Sequence, residues 1–140
     1  MKKVKQRHPF HIDAIVVLPD HLHAMWTLPQ DDADFSKRWI LIKSRFSRHI
    51  PKNEYRRKSR IVKGERGIWQ RRYWEHLIRD AWDYEQHVNY IHYNPVKHGY
   101  VEKAADWKLS SIHHYIKEGL IDRNWGTADI FQGDNYGERT

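Results

Sequence analysis

Val16-Val17-Leu18-Pro19-Asp20-His21-Leu22-His23-Ala24-Met25-Trp26-Thr27-Leu28-Pro29 is the stretch on which the reading of this chain turns. Pro19-Asp20 separates two runs of alternating character, Phe10 to Leu18 and His21 to Leu28. In the first, Phe10, Ile12, Ala14, Val16 and Leu18 alternate with His11, Asp13, Ile15 and Val17. In the second, Leu22, Ala24, Trp26 and Leu28 alternate with His21, His23, Met25 and Thr27. Period-two alternation marks half-buried strands, and the break between them predicts an antiparallel hairpin. Side chains two apart on a strand share a face, so His21 and His23 stand together, close enough to hold one divalent ion. Alone, such a pair is more often a solvated feature of a strand than half a metal site; a further ligand and a nucleophile must come from elsewhere.

Downstream, Pro29 to Asp34 is polar and acidic, and Phe35, Trp39, Ile42, Phe46 and Ile50 then recur at helical spacing until Pro51. The later turns of this helix carry Lys43, Arg45, Arg48 and His49, which suit the macrodipole and could also meet phosphate. Lys52 to Arg72 holds Arg56, Arg57, Lys58, Arg60, Lys63, Arg66, Arg71 and Arg72 against only Glu54 and Glu65. Such a run is either a solvated loop or a phosphate-contacting surface. Ile68 to Ile78 is rich in aromatics and lacks helix caps, which predicts a strand. Asp80 caps a second long helix, with Tyr84, Val88 and Ile91 as its apolar stripe and His87, Tyr90 and Asn94 on another face. Pro95 puts Asn94 at the last turn or at a kink. A short helix follows from Ser110 or Ser111 to Gly119. The organisation expected is one domain over residues 1–119 and an extended tail over 120–140, anchored by Trp125, Phe131 and Tyr136.

Composition narrows the partner. The formal net charge is +7 and the pI about 9.6, which favours a polyanion. No apolar run approaches the roughly 20 residues of a spanning helix, and Met1-Lys2-Lys3 does not open a signal peptide. With no cysteine, thiolate metal sites, disulfides and a cysteine nucleophile are all excluded. Seven Trp and eight Tyr are more than a core of this size needs, and unpaired bases stack well on such rings. If the Tyr90 and Asn94 face packs at His21 and His23, Asn94 adds an amide oxygen as third ligand and Tyr90 brings a phenol beside the ion. A metal that polarises a phosphate compensates for the weak nucleophilicity of a phenol, and a phosphotyrosine stores the energy of the broken phosphodiester for rejoining.

Three segments together, VVLPDHLHAMWTLP at 16–29, WQRRYWEHLIRD at 69–80 and VNYIHYNPVKHGYV at 88–101, resemble the HUH single-tyrosine transposases of the IS200-like group, and specifically the REP-associated tyrosine transposases of bacteria. The resemblance runs from about Pro9 to the tail. It implies an α+β fold with a ferredoxin-like antiparallel sheet and helices. It also implies that His21 and His23 are the metal-binding pair, that Asn94 is the third ligand to Mg²⁺ or Mn²⁺, and that Tyr90 is the nucleophile. The implied activity is metal-dependent endonuclease and strand-transfer chemistry of DNA transposition, on single-stranded DNA bearing a repetitive extragenic palindrome hairpin, leaving a 5′-phosphotyrosine and a free 3′-hydroxyl. DNA contacts are expected from Arg45, Arg48, Arg56, Arg57, Lys58, Arg60, Lys63, Arg71, Arg72, Lys97 and Trp125, with the region from Trp125 to Tyr136 reading bases beside the hairpin. A monomer rather than a dimer, in the bacterial cytoplasm at the nucleoid, is the expected setting. Family members normally begin with a further strand and helix ahead of the part matching Lys2 onward, so the sheet is expected to lack them. Two competing expectations stand beside this one: a hairpin-DNA-binding module that no longer cuts, and a metal-free phosphodiesterase using His21 and His23 as acid and base. His87 is read as a solvated helix residue or as one that orients Tyr90.

Overall fold

A computed structural model of the chain describes residues 1–127. They divide into two compact units, one made of residues 1–10 and 28–74, the other of residues 11–27 with 75 onward.

The first unit is built on α2, Phe35–Arg48. Asp34 starts this helix by accepting a hydrogen bond from the Lys37 backbone N–H at 3.1 Å, which satisfies one of the donors a helix start leaves over. Ile42 of the expected apolar stripe is buried, whereas Phe46 stays half exposed. The basic start of the chain forms α1, Lys2–Arg7, which buries Val4 and packs on α2. Arg38, only 3% exposed, pairs through both terminal nitrogens with Asp32 at 2.6 and 3.1 Å. It also donates to the carbonyls of Pro9 and Asp34 at 2.7 and 2.8 Å, tying the segment after α1 to the start of α2. A five-residue helix α3, Lys58–Val62, interrupts the basic run.

The strand expected over Ile68–Ile78 does not form. A strand exists through its ladder, and among the described residues the only sheet is the pair β1, His11–Val17, and β2, Leu22–Thr27. The aromatics that suggested a strand are instead taken up by α2. Trp69 stands edge-on to Phe46 at 5.4 Å, Tyr73 lies 6.3 Å from Trp39, and the Lys43 ammonium is 4.8 Å from the Tyr73 ring.

The second unit holds that hairpin, antiparallel as predicted, with Val16 opposite His23 and Val17 opposite Leu22. Its register shifts between Ile12 and Ala14, which brings Ala14 opposite Met25. The outer edge of β1 is occupied too: the Val17 N–H donates to Leu109 at 2.9 Å and the Ser111 N–H to Ile15 at 2.8 Å. Packed on the hairpin is α4, Ala81–Lys97, whose Val88 and Ile91 meet Ala14, Val16, Leu18 and Met25. Tyr93 and Val96 of the same helix turn the other way, onto Ala104 in a short 3₁₀ turn and Ile112 in α5, Ile112–Lys117. Each buried valine, leucine, isoleucine or methionine among these contributes about 1.5–3 kcal/mol, and α4, lying between two clusters, is covered almost all round from His87 to Val96. It runs through Pro95 and leaves Asn94 in its last turn, one of the two positions expected. No helix among the described residues is long and apolar enough to cross a membrane.

Candidate active site

His23 sits on the covered face of β2, with buried Met25 two residues on and buried Val16 across the ladder. The more apolar-looking face, Leu22, Ala24 and Trp26, is only half buried, because α4 lies on the histidine side. The His21 and His23 rings stand 5.1 Å apart at 88°. Asp20 holds His21 through Nδ1 at 2.7 Å, and this hydrogen bond keeps the Asp20 carboxyl below its ordinary range. A carboxylate on one ring nitrogen fixes the imidazole plane and makes the other nitrogen the better ligand.

Two residues of the α4 terminus touch this pair. The Tyr90 ring meets His23 edge-on at 5.4 Å, and the ring of His98, the residue that caps α4, lies 5.2 Å from His21. Positions 90, 94 and 98 follow one another at four-residue steps on one face. Asn94, with no exposed surface, is therefore midway between the two residues that touch His23 and His21. Tyr90 is 2% exposed, and its phenol oxygen accepts a hydrogen bond from the Lys97 ammonium at 2.8 Å. That ammonium also lies 4.7 Å from the Tyr90 ring centre. The arrangement gathers two imidazoles, an amide, a phenol and one cation, a donor set able to hold a divalent ion and to stabilise charge on the phenol oxygen.

His87, on the face read as that of Tyr90, has a different engagement. Its Nδ1 lies 2.8 Å from the Asp83 backbone carbonyl and 3.1 Å from the Asp83 carboxylate. The same carboxylate receives His76 Nε2 at 2.8 Å and the Arg79 N–H at 3.0 Å, while Asp80 accepts from the Asp83 N–H at 2.8 Å. This is a reciprocal cap at the start of α4 with two stacked histidines, 4.6 Å apart, closing over it. The His76 hydrogen bond holds the Asp83 carboxyl at about 2. The sequence signal was available: Asp80-x-x-Asp83 followed by His87 four residues on.

The cationic residues separate by what they touch. Arg60 and Arg71 both pair with Glu65, at 3.2 and 2.9 Å. Arg66 pairs with Glu54 and donates to the carbonyls of Ser47, Ile50 and Pro51. Arg45, Arg56, Arg57, Lys58, Lys63 and Arg72 are exposed, as is Arg48, which donates to Ser44 Oγ at 3.0 Å. Lys97 is at the phenol. Trp125 packs beside Tyr93 at 6.5 Å, an anchor of the kind expected, while Phe131 and Tyr136 lie outside the described residues.

Comparison with known proteins supplies the family. The family model described as "Transposase IS200 like" matches residues 1–94. A relative from Haemophilus influenzae, assigned to the REP-associated tyrosine transposases, is 45% identical over 130 residues, covering 89% of this chain and 72% of the relative. The REP-associated tyrosine transposase of Escherichia coli K12 is 46% identical over 123 residues, covering 88% and 67% respectively. A solved structure of a REP-associated tyrosine transposase bound to a REP hairpin superposes with a TM-score of 0.78 at 44% identity, over 99% of this chain and 75% of that one. The α+β fold is thus a shared one, and the chain belongs to the IS200-like transposases, among the REP-associated tyrosine transposases.

Proposed function

We propose that this protein cuts and rejoins single-stranded DNA beside a REP-type hairpin, with Tyr90 as nucleophile and His21, His23 and Asn94 holding Mg²⁺ or Mn²⁺. The observation that carries the reading is the register of α4 on the hairpin, with Tyr90 on His23, His98 on His21 and Asn94 between them. The hairpin substrate is supported by the solved relative, which was bound to one. The Tyr90 oxygen attacks the phosphorus: an Oη–P bond forms, the P–O3′ bond breaks, the phenol proton leaves and the departing 3′-oxygen is protonated. In the reverse step a 3′-hydroxyl displaces the tyrosine, so no external energy source is needed. His21, His23 and Asn94 would hold the divalent cation, which when bound would supply neutralisation of charge on the phosphate oxygens. Lys97 stabilises negative charge on the Tyr90 oxygen, both as it attacks and as it leaves. Burial of Tyr90 keeps water from the phosphotyrosine, which preserves the bond for rejoining.

The test is incubation of labelled single-stranded hairpin DNA with the protein and Mn²⁺. A covalent adduct is expected, lost by at least about 10³-fold in Tyr90→Phe while DNA binding persists. DNA binding without any adduct, under Mg²⁺ and Mn²⁺ alike, leaves only a binding module. Cleavage that resists EDTA overturns the metal's part.

A further inference from the structure

Beyond His21 the rings do not stop. His98 lies 5.2 Å from His21; Tyr100 lies 6.0 Å from His98 at an interplanar angle of 32°; Trp107 lies 5.4 Å from Tyr100 at 31°. Four rings thus follow one another from the proposed ligand pair to the surface, the outer three tilted by 32° and 31° from one to the next. We propose that His98, Tyr100 and Trp107 form a stacking track for unpaired bases of the strand whose phosphate reaches Tyr90, an inference that rests on the function proposed above.

The local sequence builds the track. Residues 98–100 stop α4 with a Schellman turn: the Gly99 N–H bonds to Val96 at 2.9 Å, the Tyr100 N–H to Pro95 at 2.9 Å, and Gly99 takes a φ of 71°. A Cβ at Gly99 would meet nothing within 4 Å, so the backbone conformation, not crowding, calls for glycine. The turn swings Tyr100 back over Trp107. Trp107 is a rigid base for it, because its indole N–H donates to Val17 at 2.9 Å and its carbonyl faces His113 Nε2 at 2.8 Å. The indole packs on the hairpin core, and Tyr100, 42% exposed, lies 5.4 Å from its ring. An exposed aromatic laid on a fixed indole offers a flat face to any base, and stacking of this kind tolerates sequence. The exposed charges of this stretch balance, Lys103 and Lys108 against Glu102 and Asp106, so binding here rests on the ring faces rather than on charge. A purely structural Tyr100 would serve only as the apolar contact that accompanies a Schellman turn; leucine in its place keeps that contact and removes the ring face.

The experiment compares affinity for single-stranded dT₁₂ and for an abasic 12-mer of equal charge, in the intact protein and in Tyr100→Leu and Tyr100→Trp, by fluorescence anisotropy. Tyr100→Leu is expected to weaken dT₁₂ binding about 10-fold and leave the abasic strand unchanged, while Tyr100→Trp retains affinity for dT₁₂. Equal losses for both strands, or no loss for either, overturn the track. The Tyr90 adduct assay on the unsubstituted protein separates the two readings: dT₁₂ discrimination without an adduct sinks the cutting reaction and leaves the track standing, and an adduct without discrimination does the reverse.

Discussion

The second unit turns three scattered histidines, a tyrosine, an asparagine and a lysine into one local cluster, while the first unit takes a dense run of arginines and disperses it. In the first, Arg38 and Arg66 close loops onto α2 by answering backbone carbonyls, and Arg60 and Arg71 share Glu65. In the second, Lys97 points its charge at a buried phenol oxygen. Charge density along the chain is therefore a poor guide to charge available for a ligand. A guanidinium with five donors is readily absorbed by folding, whereas a lone ammonium aimed at an oxygen that can become anionic has few structural explanations.

That contrast can be broken most directly at Lys97. Lys97→Met should slow adduct formation roughly 10²-fold, as loss of one charge-stabilising donor does, with Lys97→Arg partly restoring it and hairpin binding little changed; an unaltered rate would put Lys97 among the ordinary DNA contacts. A second effect concerns stability of the site's own unit. His92 has no exposed surface, bonds Ser111 Oγ at 2.7 Å, and burial holds it at about 4 rather than 6.5. The unfolded chain binds this proton first, so the contribution of neutral His92 is present above pH 6.5 and lost as pH falls towards 4, by roughly 3 kcal/mol. Urea midpoints measured between pH 7 and 4.5 should drop, and His92→Gln should flatten that drop.

The arginines supply the smaller effects. Arg66→Ala should lower the melting temperature by several degrees, since it strands Glu54 and three carbonyls, while Arg56→Ala should leave it unchanged; equal shifts would erase the distinction between absorbed and available cations. Glu54 is held at about 2 by its Arg66 hydrogen bond, so its contribution is present above the usual carboxylate value of 4.5 and fades as pH falls through about 2; Arg66→Ala removes that acid dependence. Smallest, Arg56→Ala and Lys63→Ala should each reduce the slope of log affinity against log salt for single-stranded DNA by about 0.7 if the residue meets a phosphate. Arg66→Ala should not.

Much of the second unit was legible from residue order. Period-two alternation around Pro19-Asp20 yielded the hairpin, and Asp80 yielded the start of α4, because both signals are local: a strand pair needs alternation and a turn, a helix start needs a cap. The solvated reading of His87 does not hold, because the residue is buried and Asp83 engages its Nδ1, a contact that helical position alone does not reveal. The strand expected at Ile68–Ile78 failed for the opposite reason, since β-propensity describes one chain segment while a ladder needs a second.

By itself the sequence determined which residues could do chemistry here: the absence of cysteine confined any metal to nitrogen and oxygen ligands, and one phenol lay four residues before one amide on a helix. Tertiary structure alone decided that the histidine face of β2 is the covered face, that Asn94 falls between the contacts to His23 and His21, and that Lys97 reaches Tyr90 rather than solvent. Periodicity says which side chains share a face. It does not say which face meets which, and that is fixed only when α4 buries its apolar residues against the hairpin.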